Sequence, residues 1–270
     1  MDENVVLAPK CYFAIGGGSD FFSACLLSRS EEDFILTALG PVYRDGAIDL
    51  SRTMEKYLSR EYPFQTWERG TWPILVDSRR PHAFGVIVPN KTDPLFEECC
   101  VIVKNLIGNR EIEAVDTGGD SLRGILPGFG DVDVSYLFNG IRDTRDEDCI
   151  LLIRSITRKP VRIVVLAPGA DGETSQQGLS EGIHALTDAC DAKNITLIST
   201  GHISTLLLLS ESKLGWEAPS PGSTIDNITR ALTLDGTKSR ISIIRRGHVL
   251  HEVPVDYLTS FFILDIHSMK

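Results

Sequence analysis

The sequence predicts an α/β protein with a Rossmann-like, open, mainly parallel sheet and helices on both faces. Short apolar runs alternate with segments of helical length, which is typical of a parallel sheet built from strand–helix units. Several apolar runs end in turns rich in glycine and aspartate. The chain has 270 residues, enough to bury a core without disulfides or metals. We predict a single domain over residues 1–270, with a candidate insertion or cap at residues 61–93.

The first predicted unit is a strand, a turn and a helix over residues 11–27. Its apolar run breaks at three successive glycines, residues 16–18, and resumes at helical spacing from Asp20. Glycine permits backbone conformations closed to other residues, and the helix aims its free N–H groups and positive dipole end at whatever occupies the turn. The pattern predicts an anion site here. The alternative is a tight turn that uses glycine for packing alone.

The remaining elements continue the alternation. Apolar runs bounded by Gly, Pro or Asp indicate strands, and apolar residues at helical spacing after a start signal such as Thr92-Asp93-Pro94 indicate helices. Further strands are predicted at residues 33–39, 83–88, 112–116, 161–166, 195–198, 241–245 and 257–265. Helices are predicted at residues 51–60, 95–107, 132–139, 146–158, 175–191 and 204–213, and from residue 223 onward.

Two later predicted strands end in turns of the same kind. Residues 116–121 read Asp-Thr-Gly-Gly-Asp-Ser, and residues 168–173 read Pro-Gly-Ala-Asp-Gly-Glu. Ligands of open α/β sheets bind outside the carboxyl ends of the strands, near the point where the strand order reverses. We therefore predict one crevice lined by all three turns. Ligand contacts are predicted from Gly16, Gly17, Gly18, Ser19, Asp116, Gly118, Gly119, Ser121 and Asp171, and catalytic roles from Asp20 and Asp120.

The aspartates of these turns favour a metal-bridged ligand. A carboxylate repels a phosphate unless a cation or proton intervenes, and Mg²⁺ would reconcile Asp20 with a phosphate at the glycine turn. Asp116 and Asp120 would bind the same cation or the hydroxyls of a sugar. The alternative is structural: Asp20 compensates the helix dipole, and the other two stabilise their turn by local hydrogen bonds. Asp171 and Glu173 supply a base or metal ligand, or cap the next helix.

Several standard motifs are absent from the sequence. A Gly-x-Gly-x-x-Gly fingerprint would need glycine at Phe21, and no acidic residue closes the second strand at Leu39-Gly40 to hold a ribose, so a classical NAD site is disfavoured. Neither a Gly-x-x-x-x-Gly-Lys-Ser/Thr P-loop nor a Gly-x-Ser-x-Gly nucleophile elbow occurs. Arg142 and Arg145 either clamp an acidic ligand or pair with neighbouring aspartates on the surface. His202 follows a predicted strand, from which it would reach the crevice.

Charge and cysteine content exclude several classes of protein. The net charge is −10, whereas general binding to nucleic acids or anionic membranes needs a basic surface. The six cysteines lie in apolar stretches without metal-ligand spacing, which indicates reduced thiols. An acidic N-terminus and the lack of a long apolar stretch predict neither a signal peptide nor a membrane span. We expect a cytoplasmic protein without nucleic-acid or membrane partners, and a homo-oligomer is left open.

An ordered set of motifs resembles a known family. The motifs are Ile15-Gly-Gly-Gly-Ser-Asp20, Val115-Asp-Thr-Gly-Gly-Asp-Ser121, Arg142-Asp143, Arg145-Asp146 and Ala167-Pro-Gly-Ala-Asp-Gly-Glu173. Together they resemble the uncharacterised, chiefly archaeal family called domain of unknown function 1152, over nearly the whole chain. The family's opening turn usually reads Gly-Gly-Gly-Gly-Asp, and Ser19 replaces its last glycine. The resemblance implies an α/β fold and a shared site at the glycine turns, without an established activity.

The residues thus support hypotheses of different classes. In the first, the protein binds a nucleotide or phosphorylated small molecule at the glycine turn and acts as a metal-assisted transferase or hydrolase on phosphoryl or glycosyl groups. The alternative is a non-catalytic module that binds a metabolite or another protein. A third hypothesis is a dehydrogenase with an atypical nicotinamide site.

Overall fold

The structure is a computed structural model of the chain. It describes residues 9–16, 18–28, 30–59, 64–68, 72–138, 140, 145–157, 161–189, 196–198, 224–234 and 238–266. Gly17, Arg142, His202 and the predicted helix at residues 204–213 lie outside the described residues. Within them, no helix is both long enough and apolar enough to cross a bilayer.

The described elements alternate as the sequence predicts. The strands are β1 (Lys10–Ala14), β2 (Phe34–Leu39), β3 (Tyr43–Arg44), β4 (Ala47–Ile48), β5 (Phe64–Glu68), β6 (Ile74–Asp77), β7 (Arg80–Ile87), β8 (Glu111–Thr117), β9 (Val161–Leu166), β10 (Thr196–Ile198), β11 (Arg240–Arg245), β12 (His248–Pro254) and β13 (Phe261–Ile266). The helices are α1 (Ser19–Leu27), α2 (Leu50–Tyr57), α3 (Phe96–Ile107), α4 (Arg145–Ile156), α5 (Gln176–Ala189), α6 (Thr224–Leu232) and α7 (Val255–Leu258). Short 3-10 helices span Asp120–Leu122 and Ser135–Phe138.

Nine of the described strands form one sheet in the order β10-β13-β9-β8-β1-β2-β7-β6-β5. The strands from β9 to β7 are mutually parallel. β13 and β6 run antiparallel to their neighbours β9 and β7 at the two sides of this parallel block. The predicted α/β fold class, with an open and mainly parallel sheet, is therefore confirmed.

The strand order reverses beside β1. The chain passes from β1 to β2 and β7 on one side of the sheet, and then returns to β8 and β9 on the other side. This is the 3-2-1-4-5 order of doubly wound sheets, in which ligands bind at the carboxyl ends of the strands next to the reversal. Crossover connections between parallel strands are right-handed. Because the chain moves across the sheet in opposite directions before and after β7, α1 lies on one face of the sheet and both α3 and α4 lie on the other.

The middle of the sheet is buried on both faces. Every residue of β2 is buried, as expected for a parallel strand covered by helices. Phe13 of β1 and Phe21 of α1 are fully buried beside it. The hydroxyl groups of Ser23 in α1 and Thr117 in β8 are hydrogen-bonded at 2.7 Å. This buried contact holds α1 over the ends of β1 and β8.

The candidate insertion at residues 61–93 contributes strands to the main sheet. β7 pairs with β2 in parallel over Ala83–Ile87, and β6 and β5 follow it as antiparallel neighbours. Trp72 lies between β5 and β6, and its buried indole donates from Nε1 to the Ile87 carbonyl at 3.1 Å. Most of the described aromatic side chains of this segment thus belong to the core of the sheet.

Several elements differ from the sequence prediction: β3, β4, β5 and β6 were not predicted, and the predicted strand at 257–265 begins within α7. The predicted helix at 132–139 is only the 3-10 helix Ser135–Phe138. Residues 248–254 form β12, an unpredicted strand that pairs with β11 in an antiparallel hairpin. Asn227 of α6 is buried and donates to the carbonyls of Ala170 at 2.9 Å and Ile244 at 3.0 Å. The hairpin is therefore fixed against α6 and against the loop that follows β9.

Candidate functional site

The three predicted turns follow three neighbouring parallel strands. The glycine turn follows β1, residues 116–121 close β8, and residues 167–173 follow β9. Because β9, β8 and β1 are adjacent and parallel, their carboxyl ends lie at one edge of the sheet. The turns therefore come together at the reversal of the strand order.

Asp20 joins the ends of β1 and β8. Its Oδ2 accepts from the Gly16 N–H at 2.7 Å, and its Oδ1 accepts from the Thr117 N–H at 2.7 Å. The side chain does not cap α1, whose N-cap residue is Gly18 with φ 48° and ψ −110°. Besides the dipole compensation considered from the sequence, Asp20 thus forms a buried link between two strand ends.

Asp116 organises the turn after β8. Its Oδ1 accepts from the Gly119 N–H at 3.2 Å, and its Oδ2 accepts from the Ser121 N–H at 3.2 Å and from the Ser121 hydroxyl. Gly118 and Gly119 have φ values of 122° and 100°, which favour glycine. Asp116 itself is completely buried, so its carboxylate lies directly below the turn.

Asp146 packs against the first glycine turn from α4. A Cβ atom on Gly16 would lie 2.5 Å from Asp146 Oδ2 and 2.3 Å from Asp20 Oδ2. Gly16 has no positive φ, so space rather than backbone conformation requires glycine there. The Asp120 carboxylate lies close enough to raise the pKa of Asp146. Both of these aspartates are half-buried at the mouth of the turns.

Asp171 brings a fourth strand-end carboxylate to the group. Its Oδ1 accepts from the Glu173 N–H at 2.9 Å, while its Oδ2 is buried without a hydrogen-bond partner in the described part of the chain. That oxygen would lie 2.3 Å from a Cβ atom on Gly118, so it faces the turn that Asp116 organises. Asp171 as a whole is only 6% exposed, and a buried unpaired carboxylate oxygen is costly.

Two arginines balance Glu173 at the outer side of the group. Arg245 of the hairpin donates from Nη1 to Glu173 Oε1 at 2.6 Å and to the Asp171 carbonyl at 2.9 Å. Arg123 donates from Nη2 to Glu173 Oε2 at 2.8 Å. Glu173 is therefore neutralised by its own partners, in contrast to the aspartates.

Burial and neighbouring carboxylates raise the pKa values of the aspartates. Burial, followed by the Asp120 carboxylate, raises the pKa of Asp116 to about 7. Burial and then Glu173 raise the pKa of Asp171 to about 7. Burial raises the pKa of Asp20, Asp120 and Asp146 well above its ordinary range, and nearby carboxylates raise it further. Each charged carboxylate therefore disfavours ionisation of its neighbours, and a cation between them would favour the charged forms.

Three of the aspartates have the geometry of a cation site. One carboxylate oxygen from each of Asp20, Asp116 and Asp146 lies within 4.8 Å of the others. Carboxylate oxygens are hard ligands that suit Mg²⁺, Mn²⁺ and Ca²⁺. A carboxylate that accepts N–H bonds still has lone pairs for a metal. A small rearrangement would therefore let one cation contact all three side chains.

The structure places most predicted contact residues around this group. Gly18 and Ser19 lie at the start of α1 beside this group. The contacts described above involve Gly16, Asp20, Asp116, Gly118, Gly119, Asp120, Ser121 and Asp171. Asp146 was not predicted as a site residue, and for Arg145 the sequence left open a clamp for an acidic ligand or a surface ion pair. The repeated Arg-Asp pairs of residues 142–146 were the sequence feature that pointed to them, although surface pairing explained those pairs equally well.

Arg145 lies beside the aspartates at the end of β2. A Cβ atom on Gly40 would lie 3.4 Å from Nη1 and 3.5 Å from Cζ and Nε of Arg145. The guanidinium group also lowers the pKa of Asp146 in part, against the larger effect of burial. A cationic side chain thus borders the acidic group.

Comparison of the chain with protein-family models, curated proteins and solved structures finds no match.

Proposed function

We propose that the crevice binds a divalent cation through Asp20, Asp116 and Asp146, and through that cation the phosphate of a nucleotide or phosphorylated small molecule. The observation that carries the proposal is the approach of three carboxylate oxygens to within 4.8 Å of one another. Like charges at this separation repel strongly in a buried site. A cation with hard oxygen ligands, Mg²⁺ above all, removes that repulsion.

The buried Oδ2 of Asp171 supports a ligand independently of the triad. It lacks a hydrogen-bond partner among the described residues and faces Gly118 at the end of β8. Native proteins rarely leave a buried carboxylate oxygen unpaired. A bound cation, or a hydroxyl group of a ligand, would provide the missing partner.

The glycine turn supports the phosphate part of the proposal. Gly18, the N-cap residue of α1, brings no side chain to the helix end, and the N–H groups of the first turn are the part of a helix that binds anions. An anion alone would meet the repulsion of the aspartates, whereas a cation-bound phosphate would not. A magnesium ion in proteins is commonly held by one or two carboxylates and by substrate phosphates.

A metal-assisted transfer or hydrolysis fits this arrangement. The cation would polarise the phosphoryl or glycosyl group, and the α1 amides would stabilise developing negative charge. Asp120 is half-buried and close to Asp146, and we assign it the role of general base. Asp20 would hold the cation, so its catalytic role acts through the metal.

A non-catalytic metabolite-binding module is the second candidate. It is favoured by the hydrogen bonds of Asp20 and Asp116, because every oxygen of these two side chains accepts from the protein itself. In that case the cation and ligand bind without turnover. Release of product during long incubation with a bound nucleotide distinguishes the enzyme from the module.

Titration with Mn²⁺, followed by electron paramagnetic resonance, tests the cation site. We expect one Mn²⁺ per chain, with Mg²⁺ as a competitor, and at least about tenfold weaker affinity in Asp146→Asn. This substitution removes a charge and leaves the backbone contacts of Asp20 and Asp116 in place. Asp45→Asn is the matched control, because the Asp45 side chain is 95% exposed on another hairpin.

The Mn²⁺ titration has two outcomes that contradict the cation site. The first is an absence of binding by the unmodified protein, and the second is an equal affinity in Asp146→Asn. A thermal-shift screen with nucleotides and sugar phosphates, with and without Mg²⁺, then identifies the ligand class. The resemblance to domain of unknown function 1152 remains a prediction that fits this site but adds no substrate.

A further inference from the structure

Arg145 has an unusual position at the edge of the acidic group. It is the first residue of α4, and the next residue, Asp146, packs on Gly16 after β1. Its own guanidinium group packs instead on Gly40, the residue after β2. The two side chains therefore reach the ends of two adjacent strands from one turn of helix.

The guanidinium group faces the position that a Cβ atom on Gly40 would occupy. Nη1, Cζ and Nε are almost equally distant from that position, at 3.4, 3.5 and 3.5 Å. Equal distances to three atoms of a planar group mean that its face, rather than its edge, is turned to that position. The N–H donors of a guanidinium point outward in its plane, so they lie to the sides of the face turned to Gly40.

The acidic group and Arg145 are separated by about one strand. Ala14 of β1 pairs with Thr37 of β2, so Gly16 and Gly40 follow neighbouring strand ends. Adjacent strands lie about 4.8 Å apart. A cation held against Gly16 and a guanidinium held against Gly40 therefore contact neighbouring parts of a single ligand.

We infer that Arg145 binds a second phosphoryl group of the ligand, so that the crevice selects diphosphates over monophosphates. This rests on the proposed function, because the first phosphoryl group is the one held by the cation. The second, joined to it through one oxygen, reaches the in-plane N–H donors of Arg145. Arginine binds phosphate oxygens bidentately with such a planar fork, which lysine cannot reproduce.

Isothermal titration with inorganic pyrophosphate and orthophosphate, each with Mg²⁺, tests the inference. We expect the unmodified protein to bind pyrophosphate about 10- to 100-fold more tightly than orthophosphate, because charge-assisted hydrogen bonds contribute at this level. Arg145→Gln should lose that preference, and Arg145→Lys should restore only part of it. Arg154→Gln is the control, since Arg154 is exposed in the last turn of the same helix.

The Mn²⁺ affinity of each variant separates this inference from the proposed function. Mn²⁺ binding that persists in Arg145→Gln, together with loss of the pyrophosphate preference, supports the inference. A preference that persists in Arg145→Gln, or its absence from a protein that binds Mn²⁺, overturns the inference and leaves the cation site standing. Failure of the unmodified protein to bind Mn²⁺ overturns both. ADP as an additional ligand assigns the source: tighter binding than pyrophosphate indicates a nucleoside diphosphate, and equal binding a bare diphosphate group.

Discussion

Gly16 is the residue on which the geometry of the candidate site depends most directly. Two carboxylate oxygens, from Asp20 and Asp146, occupy the space where any other residue would have a Cβ atom. The Gly16 N–H also donates to Asp20. The absence of one side chain thus lets two acidic groups from different helices meet at the end of β1.

Gly16→Ala should disrupt the acidic group with little change elsewhere. The new Cβ atom would meet Asp20 Oδ2 at 2.3 Å, so both aspartates must move and the hydrogen bond from Gly16 is strained. We expect a loss of about 1–3 kcal/mol in the free energy of unfolding, as for other overpacked sites. Mn²⁺ affinity should fall in parallel. Urea denaturation and Mn²⁺ titration measure the two effects.

Gly40→Ala provides the matched comparison for that variant. It makes the same substitution after the neighbouring strand, where the nearest atom to a new Cβ lies 3.4 Å away, at ordinary contact distance. Its free energy of unfolding and Mn²⁺ affinity should stay close to those of the unmodified protein. Equal behaviour of the two variants would show that crowding at Gly16 does not position the aspartates.

Sequence reasoning at this scale located the turns but not all their members. Asp20 and Asp116 lie at fixed offsets from glycines at strand ends, so local patterns were sufficient to select them. Asp146 comes from the start of α4, and only the packing of that helix brings it to Gly16. A contact between elements that are far apart in the sequence produces no motif with a recognisable spacing. The sequence therefore did not distinguish Asp146 and Arg145 from surface residues.

The β11–β12 hairpin is the element that holds the β9 side of the site. Arg245 connects it to the Asp171 carbonyl and to Glu173, and His251 contacts the Thr174 carbonyl through Nε2 at 3.1 Å. Glu173 is in turn shared with Arg123. The hairpin thereby fixes the loop that presents the unpaired oxygen of Asp171.

Arg245→Gln should release this hairpin from the loop after β9. The variant loses two hydrogen bonds, one of them to a carboxylate, and leaves the nearly buried Glu173 with Arg123 as its ion-pair partner among the described residues. Bonds to charged groups contribute about 1.5–3 kcal/mol, so we expect a destabilisation of that size. Hydrogen exchange should increase mainly in residues 240–254.

Arg240→Gln tests whether that effect is specific to the loop contact. Arg240 begins the same strand and is exposed, so its replacement should change neither stability nor exchange beyond about 0.5 kcal/mol. Similar losses in the free energy of unfolding of the two variants would mean that the stability of the hairpin depends on its positive charge in general rather than on the contact with Glu173.

The prediction of elements succeeded where a strand contains a buried apolar run. β1, β2, β8 and β9 are buried runs that end in turn residues, so composition alone indicated them. β12 begins with the exposed residues His248 and Val249 and has no continuous apolar face. Its pairing with β11 is decided by tertiary contacts, and sequence periodicity therefore did not indicate it.

At the scale of the whole molecule, folding opposes the ionisation of the acidic group. The chain carries a net charge of −10, and several carboxylates are buried together at the reversal of the strand order. Folding must desolvate these carboxylates, which favours their protonated forms. The metal-free protein should therefore be less stable at neutral pH than under mildly acidic conditions.

The direction in which the free energy of unfolding changes with pH follows from proton binding. The pKa of Asp116 and of Asp171 is raised to about 7 by burial and by neighbouring carboxylates, whereas unfolded aspartate titrates near 3.9. Between these values the folded state binds more protons, so the free energy of unfolding falls as the pH rises from about 4 to about 7. We expect a decline of up to about 1.4 kcal/mol per pH unit for each such group. Urea denaturation in EDTA between pH 5 and pH 8 measures it.

Asp171→Asn isolates one contribution to this pH dependence and connects it with the cation. Asparagine keeps the acceptor for the Glu173 N–H and removes the titration. The decline in the free energy of unfolding between pH 5 and pH 7 should therefore be shallower in Asp171→Asn, and Asp45→Asn should leave it unchanged.

In the unmodified protein at pH 7.5, Mg²⁺ at a hundred times its dissociation constant should raise the free energy of unfolding by about 2.7 kcal/mol. A stability that is constant or rises from pH 5 to pH 7 without metal would contradict the strained acidic group. Stabilisation by Mg²⁺ that survives in Asp146→Asn would place the cation elsewhere on the protein.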